Sequence, residues 1–183
     1  MQKKQTDNQL VWTRRFIAAA IIQGAIIVGL TIYLILGQIS LKPEVSRVIA
    51  AGNAGTWFTF SYILYIVVGV LGIAVSALFY LYLERVLGKQ YKDSTVAKIA
   101  AWIHLLFLNV GTAAAMGMLM FVGYIGGAAM LPISIGGRGF NALQAHEILA
   151  PFVEPIAASI FIILIGVISG GIGFLIIHRK KMI

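Results

Sequence analysis

Four uninterrupted apolar runs dominate the chain, roughly residues 16–36, 57–83, 99–127 and 152–177. Each is long enough for a helix that crosses a bilayer, which takes about 20 residues. The runs are apolar throughout, whereas a barrel strand alternates in polarity over about 10 residues. The pattern predicts an all-α integral membrane protein, with residues 1–183 forming a single domain of four transmembrane helices.

The polar breaks supply the expected helix boundaries. Loop 38–55 holds Pro43, Glu44 and Arg47, and Val45–Ala51 reads as a short amphipathic turn on the surface. Asn53, Gly55 and Thr56 then read as a helix start, with Thr56 as N-cap. Gly88 is expected to end the second long helix, and Ser94 or Thr95 to cap the third. Between the third and fourth runs come Pro132, the glycines Gly136, Gly137 and Gly139, and Asn141–Ala150, a short helix running into Pro151. Trp12, the pair Trp57 and Phe58, and the pair Tyr80 and Tyr82 read as interfacial aromatic rings.

Composition sharpens the environment. Hydrophobic residues make up 60% and charged residues 11% of the 183, against about 45–50% and about 25% in a soluble domain. The formal net charge of +8 would suggest nucleic acid for a soluble protein. Here the basic residues flank the apolar runs, so membrane lipid is an expected partner and nucleic acid is not. Lys3, Lys4, Arg14, Arg15, Arg85, Lys89, Lys92, Lys98, Arg179, Lys180 and Lys181 lie on one side of the four runs, and only Lys42, Arg47 and Arg138 on the other. The positive-inside rule places both termini in the cytoplasm, and the expected location is the plasma membrane of a prokaryote. The first run is too long for the 7–15-residue core of a cleaved leader and reads as a signal anchor. The chain has no cysteine, which excludes disulfides, iron–sulfur clusters and covalently attached haem.

Four sets of residues could carry chemistry. Small residues at helical spacing (Gly69, Gly72 and Ser76; Gly111 and Ala115; Gly166, Gly170 and Gly173) read as helix-packing faces, within the chain or toward another subunit. His104 lies inside the third run, where an ionisable residue is a functional candidate by default. It could ligate haem b, although His146 lies at the opposite side and His178 about 9 Å shallower by helical rise, so haem is not the favoured cofactor reading. His146, Glu147 and Glu154 form a chemically reasonable donor set for a divalent metal. Met116, Met118 and Met120 alternate, so only Met116 and Met120 share a helical face, and core or lipid packing is the expectation for them. Phosphate loops, nucleophile elbows and His-Glu-x-x-His motifs do not occur.

The segment His104–Gly117, HLLFLNVGTAAAMG, resembles the third-span region of the haem-copper oxidase and nitric-oxide reductase catalytic subunits. The segment Gly55–Gly72, GTWFTFSYILYIVVGVLG, is similar in character. The chain departs from that family in lacking the histidines that hold its haems and copper. The resemblance therefore implies a non-catalytic relative or an accessory subunit. The set His146, Glu147 and Glu154 likewise does not reproduce the Asp/His/His set of the particulate methane and ammonia monooxygenases. The function expected is a non-catalytic accessory or assembly subunit of a respiratory or membrane-oxidase complex, packed against other membrane subunits. The alternatives are a small haem b redox protein using His104, and a small transporter or channel using Glu154 and Gln23.

Overall fold

The computed structural model describes residues 10–86, 88, 91 and 94–182, the last three by backbone only. Lys3, Lys4, Lys89 and Lys92, which enter the charge asymmetry, lie outside the described residues. The described chain is helical, with no strand. Six helices follow in order: α1 Val11–Ser40, α2 Val45–Ala50, α3 Ala54–Val86, α4 Thr95–Met130, α5 Ala142–Leu149 and α6 Val153–Met182. Five of them make four rods, α1, α3, α4 and the α5–α6 pair taken together, each long and apolar enough to cross a membrane. Each outruns its apolar stretch, because a helix does not end where hydropathy ends. It continues until its free backbone groups find other partners.

The short connections follow local rules. Asn141 caps α5 through a reciprocal box: its side chain accepts from the Gln144 amide at 2.9 Å, and its own amide donates to Gln144 Oε1 at 3.0 Å. Ser94 Oγ accepts from the Ala97 amide at the start of α4. Thr56 is not the cap of α3. The helix begins two residues earlier at Ala54, after a turn in which Gly52 and Asn53 both take positive φ, 71° and 45°. That left-handed turn sets the entry direction, and no side chain caps it.

The loop beyond α1 carries the described surface ion pairs. Arg47 Nε donates to Glu44 at 2.9 Å and Lys42 Nζ to the same carboxylate at 3.3 Å. The hydrogen bond from Arg47, then that from Lys42, holds the Glu44 carboxyl below its usual value. A depressed folded value contributes stability above the unfolded pKa and loses it as pH falls through the folded one. Glu44→Gln should therefore lower the melting temperature slightly at neutral pH, the pair being exposed, and the difference from wild type should vanish as pH falls below about 4.5.

α4 is the central helix. α6 packs along one side of it and the first half of α3 along another. The second half of α3 leaves α4 and lies instead on α1. The change of partner occurs across a π-helical stretch, Tyr65–Gly72, in the middle of α3. A π turn holds an extra residue and shifts the face that follows it. The result is a triangle of α1, α3 and α4 with α6 attached to the far side of α4, rather than a closed ring of four.

Small residues set the closest crossings. A Cβ added at Gly123 would lie 2.4 Å from the Phe58 backbone nitrogen, and one at Gly127 would lie 3.1 Å from Gly55 Cα. Added at Gly111 it would meet Ile163 Cγ1 at 2.8 Å, at Gly166 the Leu108 nitrogen at 3.0 Å, and at Gly173 Ala100 Cβ at 3.0 Å. Gly111, Gly166, Gly170 and Gly173 are thus spent on the α4–α6 contact inside the chain. Gly69 faces Thr112 across α4, and Gly72 borders a groove. Around these crossings sit two apolar clusters. One, toward the end carrying the termini, gathers Phe16, Ile73, Tyr80, Ala101 and Ile177. The other, toward the loops, gathers Ile27, Phe58, Tyr65, Met116 and Met120.

Three aromatic expectations change, since Phe58 is buried beside the exposed Trp57 and Trp12 and Tyr80 also turn inward. Trp12 is not an interfacial ring standing in the open. It is buried, edge-on to Trp102 at 5.2 Å, and the Arg15 guanidinium lies over both rings at 4.6 and 4.5 Å. Tyr80 is likewise buried and stacks on Phe16 at 4.5 Å, while Trp57 and Tyr82 remain exposed. Trp12 and Tyr80 turn inward because their helices use those positions in the α1–α3 contact.

Candidate functional site

His104 sits nine residues into α4, about 14 Å from its start at 1.5 Å per residue. Its ring lies between three helices. Phe16 of α1 is 5.0 Å away and Tyr80 of α3 5.8 Å away, centroid to centroid. On the α6 side only Gly170 leaves room for it, since a Cβ there would fall 2.3 Å from Nδ1.

The ring's hydrogen bonds can be oriented. Ser76 Oγ donates to the Gly72 carbonyl at 2.8 Å, so its proton is committed. The 3.5 Å contact between Ser76 Oγ and His104 Nε2 then requires the imidazole to donate. With one proton on the ring, Nδ1 is the acceptor and the Tyr80 hydroxyl donates to it at 3.2 Å. Nε2–H is left with a contact at the outer limit of hydrogen bonding.

These polar atoms border a groove of about 580 Å³ between α3 and α6. Its floor is His104 and Leu108 of α4. Its walls are otherwise aliphatic and aromatic, with Val67, Val75 and Phe79 on α3 and Val167, Phe174 and Leu175 on α6. Gly72, Gly170 and Gly171 keep it open by carrying no side chain. The groove exists because α3 turns away from α4 and α6 after its π segment. Phe174 bridges its far end, 6.0 Å from both Phe79 and Tyr82. The volume falls within the range of ligand pockets, roughly 300–1,000 Å³.

A second polar group lies near the middle of the long helices. Gln23 of α1 is buried and its Nε2 donates to Asn109 Oδ1 at 3.0 Å. The Tyr65 hydroxyl donates to Gln23 Oε1, and Asn109 Nδ2 donates to the Leu105 carbonyl at 2.7 Å. Gln23 thus ties α1 to α3 and α4. Polar pairs inside membrane proteins average about 0.6 kcal/mol, while a buried group left unsatisfied costs about 1–3 kcal/mol. Gln23→Leu orphans part of a network, so a loss of about 1 kcal/mol is expected, read as a lowered melting temperature in detergent.

The other sequence candidates are not drawn together. His146, Glu147 and Glu154 are all exposed, and among the described residues no three His, Cys, Asp or Glu side chains are placed to hold a metal ion. Pro151 and a 3-10 turn, Ala150–Phe152, separate the first two from Glu154. His178 stacks on Phe174 at 5.8 Å and does not line the groove beside His104. A haem in the groove would therefore find one histidine among the lining residues.

One functional position was hidden in the sequence. Glu84 is buried at the end of α3 and caps α1 from outside. It accepts from the Trp12 amide at 2.8 Å, the Thr13 amide at 3.0 Å and the Thr13 hydroxyl at 2.8 Å. Spacing within one helix carries no signal of a cap 72 residues away in sequence.

No family model matches the chain, and neither a curated protein nor a solved structure matches it.

Proposed function

We propose that the chain is a non-catalytic integral membrane protein that receives an apolar, membrane-dissolved molecule in the groove between α3 and α6. The observation that carries this reading is the groove itself: apolar walls, a single polar pole at His104, Ser76 and Tyr80, and an opening along the side of two membrane-length helices. The wide aliphatic faces of α1 and α6, with Ile21, Ile22, Phe161 and Ile168 exposed, support insertion in a bilayer. The charge asymmetry supports a cytoplasmic position for both termini. A ligand dissolved in the bilayer then enters sideways, without crossing water.

The reading is tested by filling the groove. Gly171 has no atom within 4 Å of an added Cβ, so Gly171→Phe should fold normally and occupy the cavity. Gly72→Leu blocks the opposite wall. In nanodiscs, both variants should weaken binding of a decyl-substituted methylbenzene at least about tenfold, the effect of removing roughly 1.4 kcal/mol of contact. Equal binding by the wild type and both variants would remove the groove from consideration.

The setting we propose is a membrane-embedded enzyme complex in which this chain is an accessory subunit. With Gly111, Gly166, Gly170 and Gly173 committed to internal packing, the outward surface available to a neighbour is the apolar side chains exposed on all four long helices, widest on α1 and α6. Native electrophoresis of mildly solubilised membranes at endogenous expression should show the chain in a larger assembly. A lone monomer there would overturn the subunit reading.

A further inference from the structure

We infer that the groove takes a molecule of the quinone class, with a ring oxygen accepting the Nε2–H of His104 and the tail lying along α3 toward its π segment. This inference rests on the groove reading above and adds the chemistry of the occupant.

The polar pole selects the head. Ser76 and Tyr80 are each more than nine-tenths buried, with 8% and 5% of their surface exposed. Their hydroxyl protons are committed to the Gly72 carbonyl and to His104 Nδ1. What remains for a ligand is one N–H on a neutral imidazole, and that donor asks for an oxygen or nitrogen acceptor. Among the described residues no Lys, Arg, Asp or Glu lines the groove, so they offer nothing to a phosphate head or an ammonium. A pure hydrocarbon, such as an acyl chain, would leave Nε2–H with only its 3.5 Å contact. A carbonyl oxygen at about 2.9 Å would replace that contact with a normal bond.

The walls select a flat ring and a long tail. Phe79 and Phe174 stand edge to face, 78° apart at the bridged end, and present aromatic surface of the kind that planar rings stack on. Residues Val67 to Leu83 of α3 line the groove, a run of about 24 Å at 1.5 Å per residue. The polar pole lies in the half nearer the termini, and the remaining walls, Val67, Val68 and Leu108, are bare aliphatic. A ring at His104 therefore leaves about 13 Å of apolar channel for a tail.

The test compares decyltrimethylbenzoquinone with decyltrimethylbenzene, the hydrocarbon of the same skeleton, by equilibrium titration of the full chain in phosphatidylcholine nanodiscs. The quinone should bind about tenfold tighter, the worth of one neutral hydrogen bond in an apolar site. His104→Phe, which keeps the ring stacking, should bring the quinone down to the hydrocarbon. Equal affinities of the two probes for the wild type would overturn the quinone assignment while leaving the groove reading intact, and that comparison needs no variant to fold. Failure of both probes to bind would remove the groove reading with it. A haem absorption band in the purified protein that is lost in His104→Phe would also overturn the inference and give the site to haem.

Discussion

Glu84→Ala should lower stability by about 3 kcal/mol, a larger loss than any other single charge in the described chain would produce. The carboxylate is buried and accepts three hydrogen bonds from the first turn of α1. Removing it orphans two backbone donors that no side chain of α1 itself satisfies. Hydrogen bonds to charged groups contribute about 1.5–3 kcal/mol each, and a negative charge at a helix N-terminus gains up to about 2 kcal/mol from the macrodipole. These contributions overlap, so the sum is not taken. Glu84→Gln should recover part of the loss, since one amide oxygen still accepts while the other position becomes a donor facing donors. Thermal unfolding in detergent, with the α1 amides followed by hydrogen exchange, separates a lost cap from a general loss of stability. Wild-type protection at Trp12 and Thr13 in Glu84→Ala would refute the cap.

Gly123→Val should be comparably damaging for a steric reason. The added side chain would begin 2.4 Å from the Phe58 backbone nitrogen and 3.1 Å from the Ala54 carbonyl oxygen. Both are main-chain atoms inside a helix, so neither can yield by changing rotamer. α3 and α4 would have to separate along the whole crossing where Gly126, Gly127 and Gly55 also meet. Overpacking costs about 1–3 kcal/mol where side chains can adjust and more where they cannot. A loss of about 3 kcal/mol is expected, with release of the loop-end cluster around Phe58 and Met120. Gly117→Ala is the matched control, because no atom lies within 4 Å of its added Cβ. A similar melting temperature for Gly123→Val and the wild type would contradict this crossing geometry.

Helix existence and order were legible in the residues, because apolar runs of this length admit few other solutions. The short helix after Asn141 was legible too, since its capping box acts within a few residues, whereas Val45–Ala50, read as a surface turn, is an uncapped helix that buries Val45 and Val48. Helix faces were not. The runs are apolar on every side, so periodicity could not tell that Tyr80 points inward and Tyr82 outward. Small-residue spacing singled out Gly111, Gly166 and Gly170 as packing positions without saying which helices they join. It missed the tighter α3–α4 crossing at Gly123 and Gly127, because those glycines lie where the third run reads simply as its own end. His104 stood out as an ionisable residue in an apolar run, but its partners Ser76 and Tyr80 had no signature. Their alignment depends on the π segment, for which Tyr65–Gly72 offers no distinctive composition.

That π segment has a consequence for the chain as a ruler. It stores one residue of slack in the middle of α3. Winding those same residues as an ordinary helix would release the slack and turn everything beyond them by about 100°. Ser76 and Tyr80 would rotate off His104, and Glu84 would rotate off the start of α1. The groove's polar pole and the anchor of the first helix are therefore held in phase by the same surplus residue.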